Sequence, residues 1–248
     1  MHSPELRNRA LALVEAGEND CQVARRLGLA RTTVRDWRRA KDEPSELIGV
    51  ICPRCWRPSR KPILFTVADY AELLGLYLGD GYIVRTGRSD RLRIFLDTRY
   101  GQIVLILSPF FAAASQHIGS VGFTTRKGTT TIVSLYCTHL ACLFPQHGAG
   151  MKHERDIVLE DWQTELVARN PWDFIRGLIR SDGCAYVNRT GRYAYLSYEF
   201  SNRSQQIREL FMDACDRVDV EYRPYKRYVR IYRRKSVSLM RQHVGLKG

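Results

Sequence analysis

Two short segments about a hundred residues apart carry acidic residues in the same setting. The first, 72–81, reads ELLGLYLGDG, and the second, 174–183, reads FIRGLIRSDG. Gly75 matches Gly177, Gly79 matches Ser181, Asp80 matches Asp182 and Gly81 matches Gly183. In each pair the small residues stand four apart, on one face of a helix, where they let two helix backbones approach closely. Asp80 and Asp182 then fall at helix C-termini. That is the unfavourable end of the helix dipole for a carboxylate, by about 0.3–1 kcal/mol each. If the two helices pair, both carboxylates emerge together and repel one another unless a cation lies between them. Oxygen ligands of this kind suit a hard divalent cation, with Mg²⁺ the natural candidate and Mn²⁺ its substitute. Two carboxylates beside a basic surface fit metal-dependent phosphodiester hydrolysis.

The elements that must position these residues repeat with them. The first helix starts near Asp69 and the second at Asn170-Pro171. Gly81 and Gly183 are expected to end them in the left-handed conformation. After Gly81 comes a strand pair, with Leu92, Ile94 and Leu96 on one face and Arg91, Arg93 and Phe95 on the other. A helix is expected over 102–118, then a hairpin over 121–136 turning at Lys127-Gly128. After Gly183 the pattern returns as a hairpin over 185–200, a helix over 205–218 and a basic hairpin over 221–233. FLDTR (95–99) echoes FSNR (200–203), pairing Arg99 with Arg203. GAGMK (148–152) echoes VGLK (244–247), pairing Lys152 with Lys247.

The doubled motif in this context resembles the LAGLIDADG homing endonucleases in their single-chain, two-motif form, over roughly residues 66–248. The resemblance implies an α+β fold of two pseudo-symmetric αββαββα halves, with curved antiparallel sheets that lie in a DNA major groove. It implies a metal site made by Asp80, Asp182, Gly79 and Ser181, with the two aspartates as its ligands. Arg99 and Arg203 take the position near the hydrolytic water or scissile phosphate, and Lys152 and Lys247 the flanking basic position. It makes Arg91, Arg93, Lys127, Arg192, Lys226, Arg230 and Arg233 candidates for DNA contact. The activity implied is hydrolysis of both strands of duplex DNA by a monomer. Arg180 departs from the pattern, which has an apolar or acidic residue there; it either points outward or weakens the site.

Residues 10–40 show a helix–turn–helix pattern. Leu11, Leu13 and Val14 serve a first helix ended by Gly17. Asn19 or Asp20 caps a second, with Val23, Ala24 and Leu27 inward, and Gly28 makes the turn. Leu29, Val34 and Trp37 anchor a third, whose outward Arg31, Thr32, Thr33, Arg35 and Arg38 suit base edges and phosphates. The stretch resembles the helix–turn–helix of resolvases, transposases and small repressors. The sequence thus divides into a small all-α DNA-binding domain (1–43), a linker (44–65) and two repeats (66–165 and 166–248). In the linker Cys52 and Cys55 form a C-x-x-C, half of a zinc ribbon. Cys21, Cys137, His139 and Cys142 are distant in sequence, so a free or degenerate knuckle is favoured over zinc.

The charge agrees with a polyanionic partner. The 248 residues carry 39 Lys+Arg against 26 Asp+Glu, a formal net charge of +13. Nine of the basic residues lie in 222–248, which has no acid and interleaves tyrosine with arginine. The N-terminal residues lack a signal-peptide core, no apolar run approaches ~18 residues, and the seven cysteines are scattered. These features fit a cytoplasmic protein with reduced thiols and no membrane partner. The residues also leave open a regulator that binds DNA without cleaving it and, less well supported, an RNA-binding role.

Overall fold

The computed structural model describes residues 2–42, 47–48, 52, 54–55, 65–86, 89–97, 121–126 and 130–246. At the N-terminus, α1 (Pro4–Glu15), α2 (Asp20–Leu27) and α3 (Arg31–Asp42) form a small helical unit. Ser3 caps α1, with Pro4 at its first position. Asn19 opens α2 through a reciprocal capping box with Gln22, and Gly28 closes it in the left-handed conformation. Ala10, Leu11, Val23, Ala24, Val34 and Trp37 are its buried core, with Leu13, Val14, Leu27 and Leu29 packed around it. On α3 the side chains of Arg31, Thr32, Arg35 and Arg38 remain exposed and that of Thr33 half-buried.

β1 (Leu47–Ile48) and β2 (Phe65–Thr66) pair antiparallel. The next helix, α4 (Val67–Asp80), begins two residues before the expected start. Thr66 is its cap, and Asp69 is the capping-box partner three residues in. From Tyr70 to Leu78 every residue of α4 is buried, as expected of a helix covered on all sides. The chain continues through β3 (Gly81–Thr86), β4 (Ser89–Asp97), β5 (Val121–Arg126), β6 (Thr130–Cys137), α5 (Leu140–Leu143), a 3₁₀ turn at Lys152–Glu154 and α6 (Asp161–Arg169). The second half follows with α7 (Pro171–Asp182), β7 (Gly183–Thr190), β8 (Tyr193–Ser201), α8 (Gln205–Asp216), β9 (Arg223–Pro224), β10 (Tyr228–Ile231) and α9 (Arg234–His243). The helix expected over 102–118 and the turn at Lys127-Gly128 lie outside the described residues.

The fold is α+β. Its two four-stranded antiparallel sheets have the orders β3-β4-β6-β5 and β7-β8-β10-β9, so strands occupying the same place in each half pair in the same way. One core joins both sheets to α4 and α7. The alternation along β4 is as expected, with Leu92, Ile94 and Leu96 buried and Arg91, Arg93 and Phe95 half-exposed. Among the described residues no helix is long and apolar enough to cross a membrane.

The structure corrects two sequence expectations. Gly81 and Gly183 are extended (φ −87° and −99°), not left-handed, because each is already the first residue of a strand. What requires glycine is space: a Cβ on Gly183 would stand 2.6 Å from Ile179 Cα, and one on Gly81 would stand 2.8 Å from Tyr77 O. The second correction concerns the FLDTR–FSNR echo. Gly183 pairs with Phe200, but Gly81 pairs with Ile94. The counterpart of Phe200 is therefore Ile94. Phe95 lies one residue out of step, and a one-residue shift turns a side chain to the opposite face. The ladder does not support equating Arg99 with Arg203.

Candidate metal and DNA site

The candidate site is built by the α4–α7 contact. A Cβ on Gly75 would stand 2.6 Å from Phe174 O and 2.8 Å from Leu178 N. One on Gly177 would run into the carbonyl of Glu72 and stand 3.0 Å from Gly75 Cα. One on Gly79 would meet the Ser181 side chain and stand 3.1 Å from Asp182 Oδ2. The contacts advance along both helices together, so the two run in the same direction and their C-termini meet. Asp80 and Asp182, each half-exposed, are the last residues of the two helices.

Lys152 reaches this end from the 3₁₀ turn. Its ammonium donates to the carbonyls of Tyr77 and Gly79, the latter at 2.8 Å, and lies 4.9 Å from the centre of the Tyr77 ring. Burial pushes its pKa down to about 8, against the opposing pull of Asp182 and Asp80. Asp182 accepts a hydrogen bond of 2.6 Å from the Asn202 side-chain amide. An open cleft of about 470 Å³ is lined here by Gly79, Lys152, His153, Asp182, Asn202, Arg203 and Arg227.

The structure thus gathers Gly79, Lys152, Asp182 and Arg203 at one place, with Asp80 acting on Lys152 from close by. Arg99 and Lys247 lie outside the described residues. Gly150 and Gly245, two residues before Lys152 and Lys247, both adopt positive φ (76° and 78°), so this echo is matched in the backbone. The Ser181 hydroxyl lies 3.1 Å from Gly177 O and 2.9 Å from Leu178 O, so it bonds back onto its own helix at the contact with Gly79. Asn202 was not singled out from the sequence. Its signal lay in FSNR, one residue before the arginine that drew attention. Ion pairing keeps Arg180 from pointing outward. It pairs with Glu72, which is only 8 % exposed and which also takes Arg176 at 3.1 Å.

The outer sheet faces are rich in arginine and tyrosine. Arg91 donates to Ser134 at 2.8 Å and lies over Tyr136, and Arg93 lies over Phe95. In the second half, Arg192 sits over Tyr193, and Tyr193 and Tyr195 stack with 51 % and 53 % exposure. Lys226 is exposed in the β9–β10 turn. Arg230 does have an acidic partner, although its own segment holds none. Glu199 stands opposite it on β8 and accepts at 2.9 Å. Arg233 has Glu221 at 3.8 Å. The strand ladder supplies an acid that the reading of 222–248 alone missed. Lys127 lies outside the described residues.

The C-x-x-C is not alone either. Cys52, Cys55, His139 and Cys142 come together with their ligand atoms within 4.8 Å of one another. The sequence distance that argued against zinc is closed by the end of β6.

A search of curated proteins finds no match to this chain. Solved structures do show similarity. One is the N-terminal LAGLIDADG domain of WhiA, at 16 % identity over 75 % of this chain and 87 % of that one, with a TM-score of 0.46. Another is I-DmoI in complex with DNA and Mn, at 14 % identity over 72 % and 97 %, with a TM-score of 0.49. A third is the LAGLIDADG meganuclease I-AabMI bound to uncleaved DNA, at 9 % identity over 72 % and 85 %, with a TM-score of 0.45. At the N-terminus, residues 1–45, which include α1 to α3, match the family model of the homeodomain-like domain.

Proposed function

We propose that this chain is a site-specific DNA endonuclease of the LAGLIDADG type that hydrolyses both strands of duplex DNA. The observation that carries the reading is the glycine-mediated contact of α4 and α7, which brings the helix ends bearing Asp80 and Asp182 together beside a cleft lined with basic residues. The donors offered by Asp80 and Asp182 are carboxylate oxygens, and these fit a hard divalent cation such as Mg²⁺ or Mn²⁺. Such an ion supplies a water of lowered pKa and offsets charge on the phosphate.

The protein's own residues do the rest. Asp80 and Asp182 hold the cation. Asn202 orients Asp182 through its amide. Lys152 and Arg203 offset charge that grows on the scissile phosphate. The helix–turn–helix of residues 1–43 and the outer faces of the two repeats (66–165 and 166–248) bind the duplex. Arg31, Thr32, Thr33 and Arg35 act on one module, and Arg91, Arg93, Arg192 and Lys226 on the other. We read the protein as acting as a monomer, because both acidic motifs lie on one chain.

The homeodomain-like match favours a second reading, a regulator that binds DNA without cutting it. Incubation with Mg²⁺ and plasmids carrying the chain's own genomic flanking DNA separates the two. Linear product supports the nuclease. Specific binding that survives EDTA, with no product at any metal concentration, supports the regulator. Two further results are expected. Asn202→Ala lowers the cleavage rate about 10- to 100-fold, as loss of a residue that orients a metal ligand does, while DNA affinity in Ca²⁺ is unchanged. DNA affinity falls steeply with salt, log K dropping by about 0.9 per phosphate contacted for each tenfold rise, as measured by fluorescence anisotropy.

A further inference from the structure

We propose that Cys52, Cys55, His139 and Cys142 bind a structural zinc ion that fastens the linker to the first repeat. The four residues come from two places in the chain. Cys52 and Cys55 form a knuckle in which the Cys55 amide donates to Cys52 Sγ at 3.4 Å, the usual support of a metal thiolate. His139 is the N-cap of α5 and Cys142 its third residue, so their i, i+3 spacing turns both to one side. His139 Nδ1 lies 3.4 Å from Cys55 Sγ.

The donor chemistry selects the metal. Zinc at about 2.3 Å from sulfur and 2.0–2.1 Å from nitrogen places its tetrahedral ligands about 3.5–3.8 Å apart. The four ligand atoms, all within 4.8 Å of one another, need to close by about 1 Å at most to reach that geometry. Three thiolates and an imidazole make a closed set with no position left for water, the mark of a structural site rather than a catalytic one. Soft sulfur ligands also exclude Mg²⁺, so this centre and the oxygen site at Asp80 and Asp182 would sort different metals. Cys52 is buried and the other three are half-buried, so the site is shielded from competing ligands.

The consequence is mechanical. Arg54, inside the knuckle, pairs with Glu160 at 3.0 Å, and β1 pairs with β2. With zinc in place the linker is held at three points, and only residues 43–46 separate α3 from β1. The metal would thereby reinforce the β1–β2 anchor at which the short leash from the helical unit ends.

Metal analysis of the full chain, purified without chelator, tests this. About one zinc per chain is expected. Cys55→Ser and Cys142→Ser lose it, while Cys21→Ser and Cys184→Ser keep it. If the cluster variants do not fold, the wild type decides. A mercurial titrated onto its thiols should release the zinc to a chromogenic chelator, and Co²⁺ exchange should give the visible absorption of a tetrahedral three-thiolate site. The proposal is overturned if folded wild type neither holds zinc nor takes up Co²⁺, if Cys142→Ser keeps its zinc, or if Cys52 and Cys55 prove to be joined as a disulfide in the protein as isolated. None of these readouts depends on cleavage, so failure here would leave the endonuclease reading standing.

Discussion

Asp80→Asn and Asp182→Asn should each reduce Mg²⁺-dependent cleavage by about a thousandfold or more, because the interaction at risk is several kcal/mol and each 1.36 kcal/mol is a factor of ten. The replacement is nearly isosteric, so packing at the helix ends is kept. For Asp182 the Asn202 amide still finds a carbonyl oxygen to bond. What is lost is the negative charge that balances the cation. The stability effect should be small. Each carboxylate stands at a helix C-terminus, so removing one relieves about 0.3–1 kcal/mol of unfavourable dipole interaction, but it also takes away one of the two carboxylates that favour the buried Lys152 ammonium. The metal-free variants should therefore melt within about 4 °C of the wild type. Loss of cleavage with near-equal stability and unchanged DNA binding is a pattern that no simple folding defect produces. Equal cutting by the wild type and Asp80→Asn would sink the assignment of the carboxylate pair.

Gly177→Ala should destabilise the protein by about 3 kcal/mol, at the top of the range for overpacking. The added methyl has nowhere to go, since it meets the backbone of Glu72 and not the movable end of a side chain. Only a separation of α4 from α7 makes room. Both helices are deeply buried under two sheets, so separation disturbs the whole core. At about 2–4 °C per kcal/mol for a chain of this size, thermal unfolding should shift down by about 6–12 °C. The same movement displaces Asp80 from Asp182, so residual activity should fall by more than the loss of folded protein explains. An unchanged melting temperature would mean that the helices do not pack as described. Gly191→Ala is the natural contrast. Gly191 sits at the β7–β8 turn with φ 59° and no atom within 4 Å of an added Cβ, so it costs backbone strain without disturbing the interface.

Much of this was legible in the sequence because it rests on local rules. The helix cap at Asn19, the helix-starting proline at Pro171, the alternation of Leu92, Ile94 and Leu96, and the doubled Gly-x-x-x-small-Asp-Gly pattern depend only on residue type and spacing. The misreadings share one cause. By residue type Gly81 and Gly183 look like left-handed glycines that end a helix, whereas contact with their own helices is what requires them. The FLDTR echo was read by residue identity when strand register decides equivalence. Arg180, Arg230 and the Cys52–Cys55 knuckle were judged by their sequence neighbours, although Glu72, Glu199, His139 and Cys142 are supplied from elsewhere in the chain.

By itself, then, the sequence determined the helical N-terminal unit, the repeated α+β halves and the matched aspartates at the ends of two helices, since periodicity, capping and a repeated motif are short-range properties of a chain. Tertiary structure alone decided which charges neutralise one another, which glycines bear on packing, and that a thiol pair in the linker has two more ligands waiting 84 residues and more away. Those outcomes depend on distances in space, and such distances exist only once hydrophobic burial has closed the chain on itself.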